Sequence, residues 1–392
     1  MERSPVKILP TAAACALLAV PLTACSLTQS NKSDGAEGSG PITVTSSATA
    51  CELSSTKAGS GRVTFRIKNT GSKVTEFYLY AEDGKRIVGE VENIGPGLTR
   101  DLVVSVAPGT YVTACKPGME GDGIRGKLTV TDSGRKSSVA DVDQETLEHA
   151  TESYADYVKQ EADALLEGTT QFVAAYRSGD DAKARSLYPT ARQHWERIEP
   201  VAESFGDLDP KMDLREADLE QGQKWTGWHL LEKDLWPPAK GYTALNRAQR
   251  ATYAQDLLAN TKTLHTRVQT QTYDVTHLGN GSKELMDEVA TGKITGEEEI
   301  WSHTDLWDFQ ANVDGARTAF ELLEPILAVK DHDLEEQIDE RFDDLQKLLD
   351  QYRSGDGFVS YDTVTPEQRK QLSDAVNALA EPLSKMTGAV TA

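Results

Sequence analysis

The chain has 392 residues, 38% of them hydrophobic and 26% charged; at roughly 100–200 residues per domain this means two domains, or at most three, each able to bury a core. That balance excludes a wholly disordered, collagenous or multi-spanning membrane chain. Lys plus Arg number 41 against 62 Asp plus Glu, a formal charge of −21, which opposes phosphate backbones and anionic lipid surfaces, so cations rather than nucleic acid are the expected partners.

Residues 1–24 begin with Arg3 and Lys7, continue through an apolar run from Ile8 to Leu22, and end at Leu22-Thr23-Ala24 before Cys25. The run is interrupted at Pro10 and Pro21 and falls short of the about 20 residues of a spanning helix. It reads as a secretory signal peptide. Leu-Thr-Ala-Cys resembles a bacterial lipobox, which implies that Cys25 becomes the lipid-modified first residue of a mature protein on the extracytoplasmic face of the cell membrane. Residues 25–40, rich in Ser, Asn and Gly, form a flexible tether. Cys15 leaves with the signal, so only Cys51 and Cys115 remain inside the fold. In a compartment that permits disulfides these two either pair or bind a metal.

Residues 41–132 contain short, β-branched and partly alternating segments at Ile42, Arg62–Ile67, Glu76–Tyr80, Leu102–Val106, Gly109–Thr113 and Gly126–Val130. Gly, Pro and Asn punctuate them, which predicts a small all-β sandwich. The succession Asn69-Thr70-Gly71, Glu76-Phe77, Pro108-Gly109-Thr110-Tyr111 and Cys115 resembles the cupredoxin family. A blue-copper centre requires two His, one Cys and an axial Met, yet no histidine lies between Pro41 and Asp132. Thr75 stands where the first His belongs, so a type 1 centre is not expected. The resemblance implies that Cys51, Glu76 and Cys115, with Met119, converge at one end of the sandwich. Two readings stay open there: a mixed sulfur and carboxylate site for copper, zinc or iron, or a Cys51–Cys115 disulfide.

A polar linker at 133–142 precedes a change to a period of 3.6. Segments near 143–177, 181–206, 226–236, 246–272, 281–291, 304–328, 331–353 and 365–386 read as amphipathic helices, making 143–392 an all-α domain. Leu306, Phe309, Val313, Ala316, Phe320 and Leu323 step by three and four, as a bundle seam does. A short repeat, Glu196-Arg-Ile-Glu199-Pro200 against Glu321-Leu-Leu-Glu324-Pro325, suggests two related bundles.

Gly227-Trp228-His229-Leu-Leu-Glu232 puts an imidazole and a carboxylate three residues apart on one helix face, able to share an ion. Taken with Glu196-Arg-Ile-Glu199-Pro, Asp207-Leu-Asp209-Pro-Lys-Met-Asp213 and Glu298-Glu299-Ile-Trp-Ser-His303-Thr-Asp305, it resembles the successive blocks of the imelysin-like family. A lipobox, a cupredoxin-like domain and an imelysin-like domain in that order resemble the EfeO-like family of iron-uptake lipoproteins. The resemblance implies a metal cleft from Glu196, Glu199, Asp213, His229, Glu232 and Glu299. It also implies iron, ferrous or ferric, as cargo, and a ferric-iron permease and a haem peroxidase as partners. Carboxylates with one imidazole and no cysteine suit iron, manganese or zinc. The competing reading is a zinc metallopeptidase using His229, Glu232 and the distant His332, but no His-Glu-x-x-His motif supports it. Acidic polysaccharide is a third ligand class, which so acidic a chain holds only through metal bridges.

Overall fold

Alternation along Gly61–Asn69 turns Val63, Phe65 and Ile67 to one side, and that pleat recurs through the first third of the chain. The computed structural model describes residues 40–84, 87–119, 121–134, 144–219 and 221–391. The signal peptide, Cys25, nearly all of the tether and most of the linker lie outside the described residues.

Nine strands form two sheets: β1 (Ile42–Ser46), β2 (Cys51–Leu53), β3 (Lys57–Gly59), β4 (Gly61–Asn69), β5 (Thr75–Tyr80), β6 (Ile87–Ile94), β7 (Thr99–Val106), β8 (Gly109–Cys115) and β9 (Ile124–Thr131). One sheet has the order β2-β1-β4-β7 and the other β3-β9-β8-β5-β6; β1/β4 and β3/β9 pair in parallel and the remaining neighbours antiparallel. Their inner faces share one core of Val44, Phe65, Ile67, Phe77, Leu79, Val104 and Leu128. This is the cupredoxin-like sandwich. The sequence reading puts Cys51 on an early strand without bounds for β2, and lacks the three-residue β3 and β6, whose Gly89, Glu90 and Glu92 break the apolar alternation.

Cys51 on β2 and Cys115 on β8 are joined in a disulfide that ties one sheet to the other. Of the two readings left open, the structure takes the disulfide and overturns the sulfur and carboxylate metal site of Cys51, Glu76 and Cys115. Paired sulfurs have no thiolate to donate, and Cys115 sits opposite Phe77 on the core face. Neighbours on a strand point to opposite faces, so Glu76 points away from the sulfurs, where its carboxylate accepts from the Tyr78 hydroxyl at 3.0 Å.

The helices are α1 (Gln144–Ser178), α2 (Asp181–Glu196), α3 (Glu199–Glu203), α4 (Asp209–Met212), α5 (Trp228–Leu235), α6 (Arg247–Val268), α7 (Val275–Thr291), α8 (Asp305–Lys330), α9 (His332–Leu349) and α10 (Pro366–Val390). Asn246, Asp274 and Thr365 start α6, α7 and α10 with reciprocal capping boxes. The α8 seam is buried along its length. The helix expected over 181–206 breaks after Glu196, whose carbonyl finds no N–H at Pro200. Asn312 Nδ2 on α8 takes that carbonyl instead, at 2.9 Å. In the second copy of the repeat Pro325 lies inside continuous α8 and Glu321 and Glu324 are exposed, so the repeat builds no second buried cluster.

Sandwich and helices meet directly. Asn280 Nδ2 on α7 donates to the Val103 carbonyl at 2.9 Å while its Oδ1 accepts from Thr387 on α10 at 2.7 Å, and Ile87 N donates to the Ser204 carbonyl at 2.9 Å. The disulfide closes a span of 64 residues, so loop-closure entropy predicts that Cys51→Ser/Cys115→Ser loses about 4 kcal/mol of stability. Chemical denaturation of oxidised wild type and the double variant measures this.

Candidate metal centre

Arg192 and Glu196 lie one helical turn apart on α2, so they share a face, and both are fully buried. The break after Glu196 turns Glu199 toward the same point. On the far side, Gly227 opens α5 with φ 93°, and a Cβ there would stand 2.2 Å from the Met212 carbonyl oxygen. Only glycine lets α5 begin against the end of α4, and that approach sets His229 beside Asp213, Nε2 to Oδ1 3.5 Å. One turn along, Glu232 Oε2 lies 3.2 Å from His229 Nδ1. Glu298 and Glu299 come from the loop before α8, and Asp308 from its first turn.

Arg192 is the hub. Its Nη2 is 2.7 Å from Glu196 and 2.9 Å from Glu298, its Nε is 2.7 Å from Glu299 and 3.2 Å from Asp308, and Nη1 pairs with Asp213. Lys293 Nζ sits 3.1 Å from both Glu196 and Glu199. Neutral donors satisfy further oxygens. Glu232 accepts from the Trp301 and Ser302 amides at 2.9 and 2.7 Å, Glu299 from Tyr188 at 3.1 Å, and Asp213 from Trp195 Nε1 at 2.8 Å. Asn312 Nδ2 lies 3.1 and 3.2 Å from Glu196 and Glu199.

Acids still outnumber cations. Burial, then repulsion from Glu196, holds Glu199 well above the usual carboxylate range; burial with Glu232 does the same to Glu299, and burial with Glu196 to Asp308. Glu298 goes the other way: burial opposes its charge, but Lys293, His229 and Arg192 outweigh it. Burial and the Arg192 charge oppose a proton on His229, yet Glu232, Glu298 and Asp213 raise it to about 10. His229 Nε2, 3.5 Å from Asp213 and 3.4 Å from Glu298, nevertheless makes no hydrogen bond, and Asp308 Oδ1 has none either. Three sets of donor atoms each lie within 4.8 Å of one another: Asp213, His229 and Glu298; His229, Glu232 and Glu299; Glu196, Glu199 and Asp213. Hard oxygens with one imidazole fit iron, manganese or zinc.

Residues 150–386 match the imelysin family and residues 14–130 the cupredoxin-like domain. An "Efem/EfeO family lipoprotein" of Staphylococcus haemolyticus (strain JCSC1435) is 47% identical over 244 residues, covering 62% of this chain and 83% of that protein. One of the same name from Staphylococcus aureus (strain MRSA252) is 46% identical, covering 61% and 84%. The chain belongs to the Efem/EfeO family.

In this Efem/EfeO member the structure brings together all six helical-domain residues expected as ligands: Glu196, Glu199, Asp213, His229, Glu232 and Glu299. The sequence reading missed Arg192, Lys293, Glu298 and Asp308. Arg192 and Glu298 carried a usable signal: Arg192 precedes Glu196 by four, and Glu298 adjoins Glu299. His332 lies elsewhere, exposed at the start of α9 beside Glu335. Removing the hub cation leaves buried carboxylates uncompensated, so Arg192→Gln is expected to destabilise the metal-free protein by about 3–5 kcal/mol. Added Mn(II) is expected to recover part of the loss, read in parallel denaturant titrations.

Proposed function

We propose that this Efem/EfeO member captures iron outside the cell and passes it to a membrane permease without turning it over. The observation that carries the reading is the buried carboxylate cluster with His229 Nε2 aimed, without a hydrogen bond, between Asp213 and Glu298. Asp213, His229 and Glu298, with Glu232 and Glu299 on the other ring nitrogen, are the proposed ligands, and Glu196 and Glu199 complete the cleft. Capture is then an exchange of buried cations: iron arrives, the His229 proton leaves, and Arg192 yields oxygens it shares. Delivery reverses the exchange. The family resemblance supplies the partners, a ferric-iron permease and a haem peroxidase. A peptidase centre finds no support in the geometry, since His332 is 62% exposed and held by Glu335.

Anchoring at Cys25 fits this role and the lipoprotein name of the relatives. No helix among the described residues is long and apolar enough to cross a membrane. One acyl chain holds a protein only marginally, whereas the two of a diacylglycerol hold it stably. Cys25→Ala is therefore expected to move the protein from the membrane fraction to the medium or stall its processing, seen by fractionation and immunoblot; unchanged membrane association would rule the anchor out.

His229→Ala and Glu232→Ala are each expected to weaken iron binding by about tenfold or more with helical content intact by circular dichroism. His332→Ala should leave it unchanged. Unaltered affinity in both cluster variants overturns the site, and zinc-dependent peptide cleavage lost in His332→Ala would revive the peptidase. The pH dependence has a definite sign. Glu199, Glu299 and Asp308 take up protons above the usual carboxylate range, and metal-free His229 keeps its proton to about 10. Protons and iron compete for these atoms, so affinity falls on acidification and binding at neutral pH releases protons. Calorimetry in buffers of differing ionisation enthalpy measures that release.

A further inference from the structure

Between Glu299 and Asp305 the chain makes one helical turn that is not continued. The Glu299 carbonyl accepts from His303 N at 2.8 Å, and the Glu299 amide donates to Asp305 Oδ1 at 3.2 Å. His303 ends the turn in the left-handed region, at φ 57°, a conformation that strains a residue with a Cβ. Tyr361 N holds it there through the His303 carbonyl, at 3.0 Å. Residues three apart on such a turn share a face, so Ser302 stands over Glu299.

Ser302 touches both carboxylates on the Nδ1 side of His229. Its amide donates to Glu232 Oε1 at 2.7 Å, beside the Trp301 amide at 2.9 Å on the same oxygen, which leaves Glu232 Oε2 to face His229 Nδ1 at 3.2 Å. Its hydroxyl donates to Glu299 Oε2 at 2.7 Å, with the Thr304 hydroxyl 2.9 Å from it. Tyr188 and Arg192 Nε hold the other oxygen, Glu299 Oε1, at 3.1 and 2.7 Å. A carboxylate gripped at both oxygens has its plane fixed, and the oxygen that Glu299 brings toward His229 Nδ1, at 4.0 Å, is Oε1. Ser302 itself is only half-buried, so water could satisfy its hydroxyl; that hydroxyl is turned to the cleft instead.

We propose that Ser302 is a positioning residue of the cleft: by giving one N–H to Glu232 and one O–H to Glu299 it sets the two carboxylates that flank His229 Nδ1 and confines Glu299 to a single inward oxygen. The inference rests on the metal-capture reading and extends it to what fixes the ligand geometry. Two like charges beside one ring nitrogen repel, and a residue bonded to both keeps them converging. Hydrogen-bond partners of metal ligands commonly govern affinity in this way, by about 10–100-fold. Without the hydroxyl, Glu299 is free to rotate, which alters the coordination geometry of a bound ion as well as its occupancy.

The test titrates Mn(II) into the full mature chain and follows it by electron paramagnetic resonance. Ser302→Ala is expected to weaken binding by about tenfold and to change the zero-field splitting of the bound ion, with helical content intact by circular dichroism. Ser302→Thr, which keeps a hydroxyl on the same Cβ, is expected to restore both. Wild-type affinity and splitting in Ser302→Ala overturn the proposal, as does a Ser302→Thr chain that behaves like Ser302→Ala. Weakened binding with an unaltered splitting overturns it too, since a merely loosened fold gives that result. The double variant His229→Ala/Glu232→Ala separates this from the function itself. If it binds Mn(II) as wild type does, the core reading falls; if it loses the ion while Ser302→Ala binds unchanged, only the role of Ser302 falls.

Discussion

A guanidinium at the centre of the helical domain holds its parts in register. Arg192 reaches carboxylates from α2, the end of α4, the loop before α8 and α8 itself. Each would be expensive to bury alone, and together they would repel. A planar fork with five donors is the side chain that can address so many oxygens at once. The packing of four chain segments and the charge state of the cleft are therefore one problem with one solution.

The same economy fixes what the cleft can exchange. Its positive charge is held by groups that differ in how readily they leave: Arg192 and Lys293 are permanent, while the His229 proton is removable. On the proposed function, an incoming cation would meet oxygens already gathered and partly satisfied, so little of its binding energy would go into organising ligands. Asn312 couples this to the backbone, since one amide nitrogen lies against the last carbonyl of α2 and both Glu196 and Glu199.

Much of this was legible in the chain, for identifiable reasons. Period-3.6 stripes such as Leu306 to Leu323 mark helices because their burial follows from geometry alone, and the block around Gly227-Trp228-His229 located the cleft. What escaped depended on distant contacts. A search for like charges passes over Arg192 and Lys293, whose role appears only once the acids are seen around them. β6 was hidden because Glu90 and Glu92 face another lobe rather than solvent or core. Glu76 was misplaced because a strand's alternation decides which face a side chain takes, however close it stands in sequence to the right neighbours.

Gly227 bears on how this chemistry could be moved to another protein. The His229 and Glu232 pair alone is common on helices and carries no instruction about its surroundings. The transplantable unit is larger: the pair, the glycine whose bare Cα clears the Met212 carbonyl, and the short segment ending in Asp213 that the clearance admits. A designer who grafts only those two side chains onto a bundle will obtain a helix with an imidazole and a carboxylate facing nothing in particular.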